Sequence, residues 1–290
     1  MDAKDTYLFA IPLFLEEFDI LEKKVRPKVL VNTIYELERE AFGSVVSQLN
    51  LIGIGPLIPT SFLDGKDVTS NNDDPSKEKY IEWLNSKPET TVVYVLFGSM
   101  AILSDQQMEE MAKGLLEFGR PFLWVIRESK DNDNNELSCR EELDKLGMIV
   151  PWCSQMEVLS NASVGCFVTH CGWNSTLEGL TSGVPMIGFP QWSDQETNAK
   201  MIEDAWGTGV RVKLSGEGVA RNEEIKRRLE LVMGGKETVV GDSGKESWVE
   251  KRRNAKKWKD LAREAVKEGG SSNKNLKAFV SEIVEQGRNK

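Results

Sequence analysis

The stretch His170, Cys171, Gly172, Trp173, Asn174, Ser175, Thr176 and then Glu178 gathers more reactive and ligand-binding groups than its surroundings. It follows a β-branched and aromatic run, Val164 to Thr169, and precedes a helical pattern, Asn174 to Ser182, closed by Gly183. That context is a strand exit feeding a helix. Gly172 lets the backbone turn tightly. Asn174 and Ser175 fall in the first helical turn, where free backbone N–H groups and the positive end of the helix dipole favour a phosphate. Glu178 lies one turn further along the face of Asn174, placed to accept hydrogen bonds from the two hydroxyls of a ribose. Diphosphate and ribose together mean a nucleotide. Asn and Ser are also preferred helix caps, so the pair taken alone reads as ordinary capping. His170, the one histidine of the chain, could be read as a catalytic base, but its place at the strand exit beside Asn174 points to phosphate contact.

Ligands of parallel α/β sheets bind beyond the carboxyl ends of the strands, so the elements that position these residues matter. Strand signals at Thr90–Phe97, Phe122–Ile126, Met148–Val150, Val164–Thr169, Pro185–Phe189 and Val210–Val212 alternate with helical patterns. The helices are expected after Ser104, which can cap the first, then at Glu141–Leu146, Gln155–Leu159, Asn174–Ser182 and Gln195–Ala205. Short strands alternating with helices predict a parallel sheet covered on both faces, a Rossmann-like α/β domain. Four exits are rich in polar groups: Gly98-Ser99, Trp152 to Gln155, His170 to Ser175, and Gln191 to Gln195. Upstream, strands at Lys28–Asn32 and Leu51–Ile54 flank a helix from Tyr35 to Val46. Residues 60–77 are rich in Ser, Asn, Asp, Gly and Pro, marking a linker and a domain boundary. Downstream, helices are expected from Asn222, over Trp248–Val266 and over Asn273–Gln286, with Gly269 to Ser272 as a break. No repeat of solenoid period occurs.

Composition narrows the class. The chain has 290 residues, 37 Lys plus Arg against 46 Asp plus Glu, and a net charge of -9. No basic field exists for nucleic acid or anionic lipid. The longest apolar stretches, Tyr7 to Leu15 and Leu49 to Pro59, fall short of a membrane span and contain Pro. The N-terminus lacks the basic flank of a secretory signal, so a cytoplasmic location is expected. Cys139, Cys153, Cys166 and Cys171 are then reduced thiols without a C-x-x-C pair. Zinc ligation by Cys166, His170 and Cys171 is disfavoured, because adjacent residues on extended backbone point apart. Asn161 and Asn174 head glycosylation triplets that carry no weight in that compartment. Asp131-Asn132-Asp133 spells the D-x-D pattern of manganese-dependent glycosyl transfer, but it sits in a polar loop without a nearby strand and reads as solvated charge. Gly53-x-Gly55 and Gly207-x-Gly209 lack the third glycine of a dinucleotide fingerprint, and no P-loop is present.

The 44 residues from Trp152 to Gln195 read WCSQMEVLSNASVGCFVTHCGWNSTLEGLTSGVPMIGFPQWSDQ. This segment resembles, nearly residue for residue, the signature box of plant family 1 UDP-glycosyltransferases. Further landmarks are KVLVNT from Lys28, Gly55-Pro56-Leu57, Trp83-Leu84, VVYVLFGS ending at Ser99, PFLWVIR ending at Arg127, and GGSS from Gly269. The wording LIGIGPLIPTSFLDG and YIEWLNSK is most similar to the branch containing anthocyanin 5-O-glucosyltransferases, which also includes enzymes acting on hormones and carotenoid acids.

The resemblance implies a GT-B type fold. Residues 78–268 would form one complete UDP-sugar-binding Rossmann-like domain, and residues 1–59 the C-terminal remnant of an N-terminal, acceptor-binding Rossmann-like domain. Residues 269–290 would be a C-terminal helix packing back toward that first domain. It implies that Trp152 stacks on uracil while Cys153 reads the base edge through its backbone. Trp152 taken alone could equally be a buried core aromatic. Glu178 would hold the ribose. Ser99, His170, Asn174 and Ser175 would bind the diphosphate, Gln155 would belong to the same donor site, and Trp173, Asp194 and Gln195 would contact the sugar. Gln195 at the end of the box goes with UDP-glucose. The implied reaction is inverting transfer of glucose from UDP-glucose to a hydroxyl of a small aromatic plant metabolite such as a flavonoid or anthocyanin, by a monomer, with no metal and no other cofactor. The family's catalytic His and Asp belong to the N-terminal part, where this chain has no histidine. The chain is therefore expected to be the donor-binding portion, and inactive by itself.

Overall fold

The computed structural model describes residues 10–45, 49–59, 62, 75–99, 101, 103–127, 137–234 and 248–288. In chain order the elements begin with α1 (Ala10–Glu22), β1 (Lys28–Val31), α2 (Arg39–Val45), β2 (Asn50–Gly53) and α3 (Pro75–Asn85). Next come β3 (Val92–Leu96), α4 (Asp105–Phe118), β4 (Phe122–Val125), α5 (Arg140–Leu146) and β5 (Met148–Val150). Then follow α6 (Gln155–Ser160), β6 (Val164–Thr169), α7 (Trp173–Ser182), β7 (Met186–Gly188) and α8 (Gln195–Lys200), which continues as a π-helical turn over Met201–Ala205. β8 (Gly209–Arg211), α9 (Asn222–Met233), α10 (Trp248–Val266) and α11 (Ser271–Arg288) complete the chain. Contacts divide it into two compact units, Pro59–Asp260 on one hand and Met1–Ile58 with Leu261–Lys290 on the other.

The larger unit is built on a six-stranded, wholly parallel sheet in the order β5-β4-β3-β6-β7-β8. The connections run outward from β3 to β5 and then, after crossing back, from β6 to β8. The order therefore reverses between β3 and β6, and the crevice beyond their carboxyl ends is the place where such sheets take ligands. Strand residues alternate between the faces. Val93, Val95, Trp124 and Val168 join Met111 and Leu115 of α4 and Ile225, Leu229 and Val232 of α9 in one buried cluster, while Tyr94 and Phe167 stack at 5.0 Å on the other face. The α4 and α9 backbones approach so closely that a Cβ on Gly114 would stand 2.8 Å from Ile225 Cγ2. Each large apolar side chain removed from water here contributes about 1.5–3 kcal/mol.

Local signals account for the element ends. Ser104 Oγ accepts from Gln107 N–H at 3.2 Å and starts α4, and Gly119 at φ 70° ends it. Met148–Val150, Val164–Thr169 and Trp248–Val266 occupy the expected spans. Four details differ from the sequence expectation. The helix expected from Tyr35 begins at Arg39, because Ile34 and Leu37 are drawn into a turn and buried. The helix from Gln195 opens into a π-turn over its last five residues. Ser271 and Ser272 open α11 instead of breaking the chain, after Gly269 at φ 80° has ended the preceding turn. Helix α1 was not expected at all, since its Leu13, Phe14, Leu15 and Phe18 are exposed and give no one-sided apolar stripe.

In the smaller unit β1 and β2 pair in parallel, Lys28 opposite Asn50 through Val31 opposite Gly53. Helix α11 is fastened to the end of β2 by Ser272 Oγ donating to Gly55 O at 2.6 Å and Asn275 Nδ2 donating to Gly53 O at 2.8 Å. Lys28 and Glu282 form an ion pair in the same unit. Residues 60, 61 and 63–74 of the expected linker, and the Asp131-Asn132-Asp133 motif, lie outside the described residues. Among the described residues no helix is long and apolar enough to cross a membrane.

Candidate functional site

The exits of β3 and β6 meet at His170. A Cβ on Gly98 would stand 2.6 Å from His170 Cε1 and Nε2, and one on Gly172 would stand 2.6 Å from Nε2, so the imidazole lies between two glycine backbones. Gly98 has φ 72°, a conformation that also favours glycine. Burial pulls the His170 pKa below its usual value, partly opposed by the Asp194 carboxylate, so the ring is neutral at pH 7. Its Nδ1 is buried and meets no partner within the protein. A neutral ring in this cleft offers a hydrogen bond rather than a charge.

Helix α7 starts beside it. Gly172 is its N-cap and supplies no side-chain cap, so the N–H groups of the first turn have no side-chain acceptor from that residue. Asn174 is exposed there and Ser175 is buried. Ser99 is exposed at the β3 exit, where its carbonyl accepts from Arg127 Nη1 at 2.6 Å, bringing a cation to the same edge.

The β5 exit returns toward α7. Gln155 Nε2 donates to Ser175 Oγ at 3.1 Å and to Glu178 Oε2 at 2.5 Å, linking three expected site residues in one cluster. Burial raises the Glu178 pKa, and the bond from Gln155 counters part of that shift. Two phenols from beneath hold the turn before Gln155. Tyr80 OH accepts from Ser154 N–H at 3.1 Å, and Tyr94 OH lies 3.3 Å from Cys153 Sγ. Burial pushes the Cys153 thiol up to about 11, so it is an inert packing group. Trp152, next to this pinned turn, is 53% exposed. That decides against a core aromatic and leaves a flat apolar face open at the strand exits.

At the β7 exit Gln195 is only 4% exposed, and its Oε1 accepts from Gln191 N–H at 2.9 Å and Trp192 N–H at 3.2 Å. The carboxamide oxygen thus closes its own loop, which leaves the amide nitrogen as the side chain's means of contacting a ligand. Asp194 is exposed, and its Oδ2 accepts from Asn198 Nδ2 at 2.8 Å. Trp173, expected to contact the sugar, is partly exposed, and its ring packs on Trp206 at 6.3 Å, which in turn meets Trp258.

The structure thus joins Gln155, Ser175 and Glu178 with the turn bearing Trp152 and Cys153, sets His170 between the β3 and β6 exits with Ser99 nearby, and brings Asp194 within electrostatic reach of His170. Sequence reasoning missed Tyr80, Tyr94, Asn198 and Arg127. A phenol in an otherwise apolar strand (Tyr94) and an amide one helical turn after Asp194 (Asn198) were the available signals. Among the described residues no group of three or more His, Cys, Asp or Glu could hold a metal ion.

Comparison with known proteins agrees with this architecture. The phloretin 4'-O-glucosyltransferase of Malus domestica is 58% identical over 292 residues, covering 96% of this chain and 59% of that protein. The chloroplastic crocetin glucosyltransferase of Gardenia jasminoides is 56% identical over 289 residues, covering 97% of this chain and 59% of that one. The chain therefore spans about three fifths of the length of these relatives. The crystal structure of Os79 from O. sativa in complex with UDP superposes with a TM-score of 0.79 at 36% identity, over 93% of this chain and 59% of that one. Its fold is GT-B, and the six-stranded unit described above is its Rossmann-like counterpart here. The model of the UDP-glucoronosyl and UDP-glucosyl transferase family matches residues 54–237, well over half of the chain, and the chain belongs to that family.

Proposed function

We propose that the Pro59–Asp260 unit binds UDP-glucose, and that the whole protein transfers the glucose, with inversion, to a hydroxyl of a small aromatic plant metabolite of the flavonoid or anthocyanin kind. The observation that carries this reading is the convergence at the strand-order reversal: an open Trp152 face, the half-buried Glu178 carboxylate held by Gln155, and the uncapped start of α7 beside His170. These supply a stacking platform for a base, an acceptor for ribose hydroxyls and donors for a diphosphate. Arg127 adds positive charge beside Ser99. In the transfer, the acceptor oxygen bonds to the anomeric carbon as the bond to the diphosphate oxygen breaks, UDP departs with the electron pair, and the hydroxyl proton passes to a base. The helix dipole and a hydrogen bond donated by the neutral His170 ring would stabilise the negative charge that grows on the leaving diphosphate. No residue of this chain is assigned as that base: His170 is neutral and able to take a proton, but it lies between the Gly98 and Gly172 backbones beside the start of α7, where this reading puts the diphosphate rather than the acceptor.

Glucose is supported by the names of relatives, since two proteins named for acceptors as different as phloretin and crocetin are both glucosyltransferases. The second of them keeps a carotenoid carboxylate open as the accepting group. The test is calorimetric titration of UDP into the folded chain, with and without EDTA. Binding that survives chelation is expected, because no metal is assigned to the site. Trp152→Ala should weaken UDP by roughly tenfold, since base–aromatic stacking contributes about 1–3 kcal/mol. Unchanged affinity in that variant, or loss of binding in EDTA, would overturn the corresponding part of the reading.

A further inference from the structure

We propose that Asn198 is a positioning residue that sets the Asp194 carboxylate for the hexose and locks it to the turn carrying His170. The inference rests on the reading that this site binds a UDP-hexose. Asn198 lies on α8, is only 6% exposed, and its backbone N–H donates to Asp194 O at 2.9 Å, one helical turn earlier. Its Nδ2 donates twice, to Asp194 Oδ2 at 2.8 Å and to Cys171 O at 3.0 Å. Both acceptors lack hydrogens, so the amide must present nitrogen to them, and the side chain has one workable orientation.

Cys171 is the residue between His170 and Gly172, and it holds φ 63°, an unfavourable conformation for a residue with a Cβ. Its N–H is tied to Thr169 Oγ1 at 3.2 Å, and its thiol packs where a Cβ on Gly188 would stand 3.0 Å away. The Asn198 bond to Cys171 O completes the restraint on this turn. One buried amide therefore joins the β6 exit, which places His170 and the start of α7, to the β7 exit, which places Asp194 and Gln195. Without it, Asp194 keeps its charge but loses the partner that fixes its rotamer, and Cys171 O is left buried without its side-chain donor.

The experiment measures the affinities of UDP and of UDP-glucose for the 290-residue chain and for Asn198→Ala, Asn198→Asp, Asp194→Ala and the double alanine variant, each checked for folding by near-UV circular dichroism. The readout is the ratio of the two affinities, in which UDP serves as the internal control. Asn198→Ala and Asn198→Asp should each lower the preference for UDP-glucose by about tenfold, the size of one charge-assisted hydrogen bond. In the Asp194→Ala background, Asn198→Ala should change the ratio no further, because Asn198 acts through Asp194. A ratio unchanged in the folded Asn198 variants, or UDP and UDP-glucose weakened in parallel, would overturn the proposal. So would a chain that binds UDP with no added affinity for UDP-glucose. A chain that binds neither ligand would refute the underlying site reading itself.

Discussion

Replacing Glu178 by Gln keeps the shape of the side chain and removes its charge, and the structure makes opposite predictions for stability and for binding. Glu178 is half-buried, and burial raises its pKa while the Gln155 bond, at 2.5 Å, offsets part of that. A carboxyl with a raised folded pKa holds its proton in the folded state over a range where the unfolded chain has lost it. Folding is thus favoured by this group below the unfolded pKa, and that contribution fades as pH rises through the folded one. At pH 7.5 the ionised form carries a desolvation penalty that a Gln does not, so Glu178→Gln should melt at the same temperature as the parent chain or higher. Ribose binding moves the other way. Hydrogen bonds to a charged acceptor contribute about 1.5–3 kcal/mol and those to a neutral one about 0.5–1.5 kcal/mol. The difference, about 1–1.5 kcal/mol, is about a tenfold loss of UDP affinity. Titration calorimetry at pH values from the ordinary carboxylate range up to neutrality should show UDP affinity of the parent chain falling as pH drops through the raised Glu178 pKa. The Gln variant should show only the ligand's own phosphate titration. A 2'-deoxyribose analogue of UDP should be less sensitive to the substitution than UDP. Equal affinity of the two chains for UDP across that range would refute the assignment of Glu178 to the ribose.

Two further outcomes follow from packing and burial. Gly98→Ala places a Cβ 2.6 Å from His170 and a non-glycine residue at φ 72°. The backbone term alone is about 1–2 kcal/mol, so a melting temperature lower by roughly 2–8 °C and weakened UDP binding are expected; a variant equal to the parent in both would show that the imidazole is free to move. Burial pushes the thiols of Cys153 and Cys171 up to about 11 and about 12, and Cys166 is also raised by complete burial. Iodoacetamide at pH 7.5 should therefore label the partly exposed Cys139 first, read by peptide mass spectrometry, and early labelling of Cys153 would contradict its buried position against Tyr94.

Much of the fold was determined by local signals in the sequence. Val164 to Thr169 is a strand because its run is β-branched and aromatic, and Gly183 closes α7 because a residue without a Cβ adopts the left-handed turn found there at φ 71°. Spacing put Asn174, Ser175 and Glu178 on one helix start, since the helical period is a property of the backbone and needs no partner. The tertiary structure alone decided which strand exits meet. Strand order places β3 beside β6, and only that adjacency lets Gly98 and Gly172 enclose His170. It also decided that Gln155 reaches Glu178 from 23 residues away, that Trp152 stays open, and that Trp173 turns its ring to Trp206. A tryptophan reads the same in sequence whether it forms a platform or a packing contact, because its burial is set by neighbours distant in the chain. Asn198 showed one partner by its place a helical turn after Asp194, but the other, Cys171 O, comes within reach only once β6 and β7 lie side by side.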